Sequence, residues 1–187
     1  MKTLIGALLC CSLFSTAALA QETAEDNSVV DVHRWLSIRS GLQLDFRPGD
    51  PNGFGFGAVV EPMFRPTEQI SVGLRVDAAV LFAIGLEAGN VSAGIGIPVS
   101  TLVKCEYSFS PEGTRPFVGV GAGMYLLTNV GGGTGGASAA VGRYFGVAPQ
   151  LGMDFGGFRV AALYHLILTP ASTAGSYAAL ELSWKIF

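Results

Sequence analysis

The stretch LSIRSGLQLDF, residues 36 to 46, sets Leu36, Ile38, Leu42, Leu44 and Phe46 at even positions and Ser37, Arg39, Gly41, Gln43 and Asp45 at odd ones. Alternation with period two belongs to a β-strand whose two faces meet different surroundings. Two settings satisfy it. The apolar face covers the core of a water-soluble sandwich, or it faces lipid while the polar face lines the inside of a barrel. The stretch alone leaves both open.

The same period recurs along the chain in eight segments of about ten residues, the length a tilted strand needs to cross a bilayer. They run over 35–46, 54–65, 70–82, 98–109, 116–127, 144–155, 158–168 and 177–187. Large apolar residues fix which parity is the greasy face in each. Twelve charges lie inside these segments: Arg39, Asp45, Glu61, Arg65, Arg75, Asp77, Lys104, Glu106, Asp154, Arg159, Glu181 and Lys185. All twelve fall on the opposite parity, although parity was set without consulting them. That face carries equal numbers of acids and bases, interleaved with glycines such as Gly55, Gly73, Gly119 and Gly152. Water on an open sheet would not require signs to balance. An enclosed lumen would, because a buried unpaired charge costs several kcal/mol.

Composition agrees with a membrane wall. Half of the residues are hydrophobic and the mean hydropathy is +0.48, yet no apolar run approaches the ~18 residues of a membrane helix. Gly is 26 of 187, which disfavours helices. Three short turns, at Pro66–Gln69, Ser110–Arg115 and Gly156–Gly157, alternate with longer connections at Arg47–Gly53, Ala83–Ile97, Thr128–Arg143 and Thr169–Ser176. In a membrane barrel the short turns are periplasmic and the long ones external. Outward aromatics then gather at two levels, with Phe64, Tyr107, Phe109, Phe155, Phe158 and Trp184 near the short turns and Phe46, Phe54, Phe82 and Phe145 near the long ones. Two interfacial girdles are the expectation.

The chain begins MKTLIGALLCCSLFSTAALA. Lys2, the apolar run Leu4 to Phe14 and the Ala18-Leu19-Ala20 cleavage pattern read as a secretory signal peptide, 1–20. Its removal takes Cys10 and Cys11 away and leaves Cys105 alone, so no internal disulfide is expected. Residues 21–32, with Glu22, Glu25, Asp26 and Asp31, read as a solvated acidic periplasmic tail. Residues 33–187 form the barrel domain, and no soluble domain is expected after Phe187.

These patterns resemble the small eight-stranded outer-membrane proteins of Gram-negative bacteria, the OmpX/OmpA-like barrels. The resemblance is carried by the signal peptide, RPFVGVGAGMYL (115–126) after a short turn, the hairpin FGVAPQLGMDFGGFRVAALYHL (145–166), and the last strand LELSWKIF. It implies an all-β, eight-stranded antiparallel up-and-down transmembrane β-barrel with a polar, salt-bridged lumen. It also implies residence in the outer membrane among its lipids and assembly by the barrel-insertion machinery. The C-terminal insertion signal of such proteins has its final aromatic on a face shared with other large residues. Here Phe187 follows the polar series of Glu181, Ser183 and Lys185, so Trp184 and Ile186 are expected to take that role, with Phe187 one residue extra.

Reactive constellations are absent from this reading. His165 is the only histidine within a strand; a lipid-A-trimming barrel would want a serine two residues on, where Ile167 stands, so a hydrogen-bonding role is expected. Gly131 to Gly136 formally contains G-x-G-x-x-G, but no strand-to-helix context accompanies it; a surface loop is the reading. Cys105 falls on the lipid parity as a small apolar residue. Eight strands leave an interior just wide enough for side chains to fill, which favours a salt-bridged plug over an ion path. No cofactor, metal site or nucleic-acid partner is expected. The function expected is non-enzymatic, structural or surface-interacting through the external loops, the alternatives being a narrow solute conduit and a lipid-modifying enzyme.

Overall fold

The computed structural model describes residues 36–48, 52–87, 90–111, 113–133, 136–168 and 175–186, with side chains over all of these but 84–93 and 131–139. The expected signal peptide with Ala18 and Ala20, the acidic tail, and Phe187 lie outside the described residues. Eight strands follow one another: β1 Leu36–Arg47, β2 Gly53–Phe64, β3 Ile70–Glu87, β4 Asn90–Ser108, β5 Arg115–Gly133, β6 Gly136–Asp154, β7 Phe158–Leu168 and β8 Tyr177–Lys185. Each pairs antiparallel with its sequence neighbours, and β8 closes on β1. Closure leaves no sheet edge, the condition a β structure must meet to sit in hydrocarbon.

The register sets the tilt. Carrying the pairing register of each ladder once around the barrel from Ser37 returns to β1 about ten residues beyond the start. A stagger of that size over eight strands tilts each by about 40° to the barrel axis.

Alternation then sorts side chains as the sequence pattern demands. Leu42, Val103, Leu151 and Leu180 are exposed on the outside, with Val103 at 62%. Arg39, Glu61, Arg75 and Glu181 lie inside and are at most 1% exposed. Phe46, Phe54 and Phe82 form a row of ladder partners at one level of the outer wall. At the other level Tyr107 packs on Phe109 with ring centroids 5.4 Å apart, and Phe158 contacts both Phe155 and Trp184. Trp184 and Ile186 are exposed on this outer surface.

Two of the expected long connections are not loops. Residues 83–87 continue β3 and pair with 90–94 of β4, out to Glu87 and Asn90, and 128–133 continue β5 and pair with 136–141 of β6, out to Gly133 and Gly136. Both hairpins extend well past the ends of β1, β2, β7 and β8. The 128–143 stretch is mostly Gly, Ala and Ser, which thins bulky alternation while the backbone ladder, which needs no side chain, persists; 83–97 keeps the alternation, with Ile84 and Leu86, then Val91, Ala93, Ile95 and Ile97, at every second position. The turns at the opposite end are tight. In the β6–β7 turn Gly156 takes a φ of 87°, a conformation open to glycine at little cost, and its amide donates to Asp154 Oδ1 at 2.8 Å.

Candidate functional site

The interior is the candidate site, and it divides along its length. In the middle, Arg75 on β3 is surrounded by acceptors from three other strands and its own. Its guanidinium meets Glu61 of β2 at 2.7 Å, Asp77 of β3 at 2.9 Å and Glu181 of β8, and donates to the Gln43 amide oxygen of β1 at 2.8 Å. Lys104 of β4 joins Glu61 at 2.5 Å and Glu106 at 2.8 Å. Ser100 donates to Asp77 at 2.7 Å. Asp45, also fully buried, is held by the Gln43 amide nitrogen at 3.2 Å rather than by a cation. Gly119 makes room for this layer: a Cβ there would stand 2.6 Å from the Gln150 side-chain nitrogen and 3.0 Å from Glu106.

Toward the short turns the arrangement reverses. One carboxylate oxygen, Oδ2 of Asp154, receives Arg39 at 2.6 Å, Arg115 at 3.4 Å, and both Arg65 and Arg159 at 3.5 Å. Arg159 also grips Glu106 with two nitrogens, at 2.7 and 3.0 Å, and lies over the Phe117 ring at 4.3 Å. Bidentate pairing of this kind fixes geometry as well as charge. Arg65 sits just outside β2 at 23% exposure, where burial and the neighbouring Arg115 guanidinium lower its pKa from the usual value. Ion pairs therefore run without a break from Arg75 through Glu61, Lys104, Glu106 and Arg159 to Asp154 and Arg39.

Ten of the twelve charges singled out in the sequence are buried inside; Arg65 is partly exposed, and Lys185 departs from the expectation. Lys185 ends β8 at the rim, is exposed, and makes no ion pair among the described residues. Inward parity at the last residue of a strand points past the wall's end, not into the lumen. Sequence reasoning also missed Arg115, which it left in a turn. Arg115 opens β5 with the inward parity of Phe117 and Gly119, so extending the alternation by one residue would have found it.

The lumen is not polar throughout. Toward the long hairpins Leu102, Tyr125, Ala148, Ile167 and Tyr177 form a buried cluster, with Leu127 and Tyr144 against it. His165 sits here at 0% exposure, its Nδ1 paired with the Tyr125 hydroxyl at 3.0 Å and its ring stacked on Tyr177 at 4.3 Å. Ser176 accepts from the Ile167 amide at 3.2 Å. A general base must reach the proton it removes; a ring sealed between two tyrosines is placed to pack and to hydrogen-bond. Inward apolar residues escape an alternation reading because they look like the outer face shifted by one.

A closed ladder with hydrocarbon-compatible side chains outside and paired ions inside decides the architecture. The chain has the fold of the small eight-stranded outer-membrane barrels. No protein-family model matches the sequence, and neither does any curated protein. Among solved structures the barrel is similar to Ail, the attachment invasion locus protein of Yersinia pestis, at 15% identity and a TM-score of 0.47 over 80% of this chain and 95% of that one. Ail has also been crystallised with the heparin analogue sucrose octasulfate. Neisserial surface protein A matches at 14% and 0.46, over 79% and 92% of the two chains. The N-terminal barrel domain of Pseudomonas aeruginosa OprF matches at 13% and 0.41, over 79% and 97%. The barrel's own strand order and register carry the assignment of fold, independently of these likenesses.

Proposed function

We propose that this barrel is an integral protein of the Gram-negative outer membrane that performs no catalysis, is closed by its own ion pairs, and offers its two extended hairpins to a ligand at the cell surface. The observation that carries the reading is the continuous ion-pair chain from Arg75 to Arg39, which spans the wall from β1 to β8 through the space a solute would need. Side chains alone can fill an eight-stranded barrel. The signal-peptide pattern at 1–20 supports export, and the apolar outer band with its aromatic levels supports residence in lipid. Trp184 and Ile186, outward on and just past β8, are the residues we assign to recognition by the insertion machinery.

Planar-bilayer recording of the refolded protein tests the plug. Wild-type barrels are expected to give no steady conductance above the bare bilayer. A stable channel current through the wild type would replace this reading with a narrow conduit. Lipopolysaccharide incubated with the protein should keep its acyl pattern by mass spectrometry; a lost or transferred chain would instead make the barrel an enzyme.

A further inference from the structure

Above the ion-pair layer, between the bases of the two extended hairpins, the lumen opens into a vestibule of about 220 Å³. Its lining is small or apolar: Gly94 and Gly96 of β4 and Ala83 of β3 give it width, and Leu81 of β3 lies buried at its floor. Two polar residues are among those that line it, Asn129 of β5 and Arg47 at the end of β1. The Arg47 stem lies along Gly53, where a Cβ would come within 3.3 Å of Arg47 Cβ. Arg47 is half-buried and, among the described residues, has no carboxylate within ion-pair distance. Asp45, the next inward residue on β1, is held by Gln43 instead.

The geometry points to a binding site in this vestibule for a small organic anion with a compact apolar body, such as an aryl or short alkyl carboxylate. The volume exceeds the ~150 Å³ of a cavity that takes up benzene, so a ring and its acid group fit together. The apolar lining supplies burial, Arg47 supplies the charge, and Asn129 can donate a second hydrogen bond to the carboxylate. Pockets with mostly apolar walls and a few placed polar groups are the usual form of a small-molecule site. The inference deepens the reading of a surface-interacting barrel and rests on it for the vestibule's access from outside. Conductance tests the plug and ligand binding tests the vestibule, so either can fail without the other.

The test compares three probes of equal ring size against the full barrel in lipid nanodiscs: benzoate, benzyl alcohol and benzylammonium, by saturation-transfer NMR titration. Empty nanodiscs give the baseline. Benzoate should bind about fivefold more tightly than benzyl alcohol, the gain that one partly exposed ion pair yields, and benzylammonium most weakly. Arg47→Gln should bring benzoate and benzyl alcohol level, while Arg47→Lys retains the preference. Gly94→Leu should abolish binding of all three, because a Cβ at Gly94 meets only the Val130 carbonyl oxygen, at 3.8 Å, and the added side chain occupies the vestibule. Ala83→Leu serves if Gly94→Leu fails to assemble, and each variant is checked for its fold by the gel shift between unboiled and boiled protein. Equal binding of benzoate and benzyl alcohol to the wild type, a preference that survives Arg47→Gln, or undiminished binding to the filled variants would each overturn the site.

Discussion

Two knots in the lumen are built as mirror images. In the middle, one guanidinium, Arg75, is held by three carboxylates, Glu61, Asp77 and Glu181. Near the short turns, one carboxylate, Asp154, is held by four guanidiniums. Neither knot is neutral alone. The bridge of Lys104, Glu106 and Arg159 passes charge compensation between them, so the unit that balances is the whole interior. The difference also concerns water. Residues of the middle knot are at most 1% exposed, whereas Arg65 and Arg115 of the other reach solvent at 23% and 13%. A buried ion deprived of its partner keeps its full desolvation penalty, while one near water can rehydrate.

That contrast orders the effects of substitution. Arg75→Ala leaves three buried carboxylates facing one another and should lower the free energy of unfolding by about 3–5 kcal/mol, read from urea titration in lipid vesicles. Asp154→Asn should lower it by only about 2 kcal/mol, because two of its four partners can turn toward water; an equal or larger loss than at Arg75 would break the comparison. Tyr125→Phe removes the hydroxyl that pairs with His165 and should cost about 1 kcal/mol, with the NMR tautomer signal of His165 changing alongside. Lys185→Ala, at the rim, should leave the urea midpoint where it was; a clear drop would mean that the end of β8 faces the lumen after all.

How much of this was legible in the sequence differs between the two knots and the apolar cap. Both knots were foreshadowed by parity, because Arg75 and Asp77 or Lys104 and Glu106 can share a face only if the chain is extended between them. Partnerships across strands were not, since Arg75 to Glu181 or Arg39 to Asp154 depends on register and stagger, which alternation does not carry. Arg115 was lost because it reads as the last residue of the turn 110–115, one step before the strand 116–127. The cap of Leu102, Tyr125, Ile167 and Tyr177 was lost because an apolar residue on the inner parity reads as an interruption, not as a layer. The long hairpins read as loops because Gly, Ala and Ser dilute the alternation, although Ile84, Leu86, Val91, Ile95 and Ile97 carry it on through the β3–β4 hairpin.

The central claim is the partition itself, with lipid outside the wall and paired ions within. Spin labels placed singly at Leu44, Val103 and Leu151, in a Cys105→Ser background and in lipid vesicles, measure it most directly through collision with oxygen and with a water-soluble nickel chelate. The account predicts frequent collision with oxygen and almost none with the chelate at all three positions. Free access of the chelate to these outward sites would contradict it.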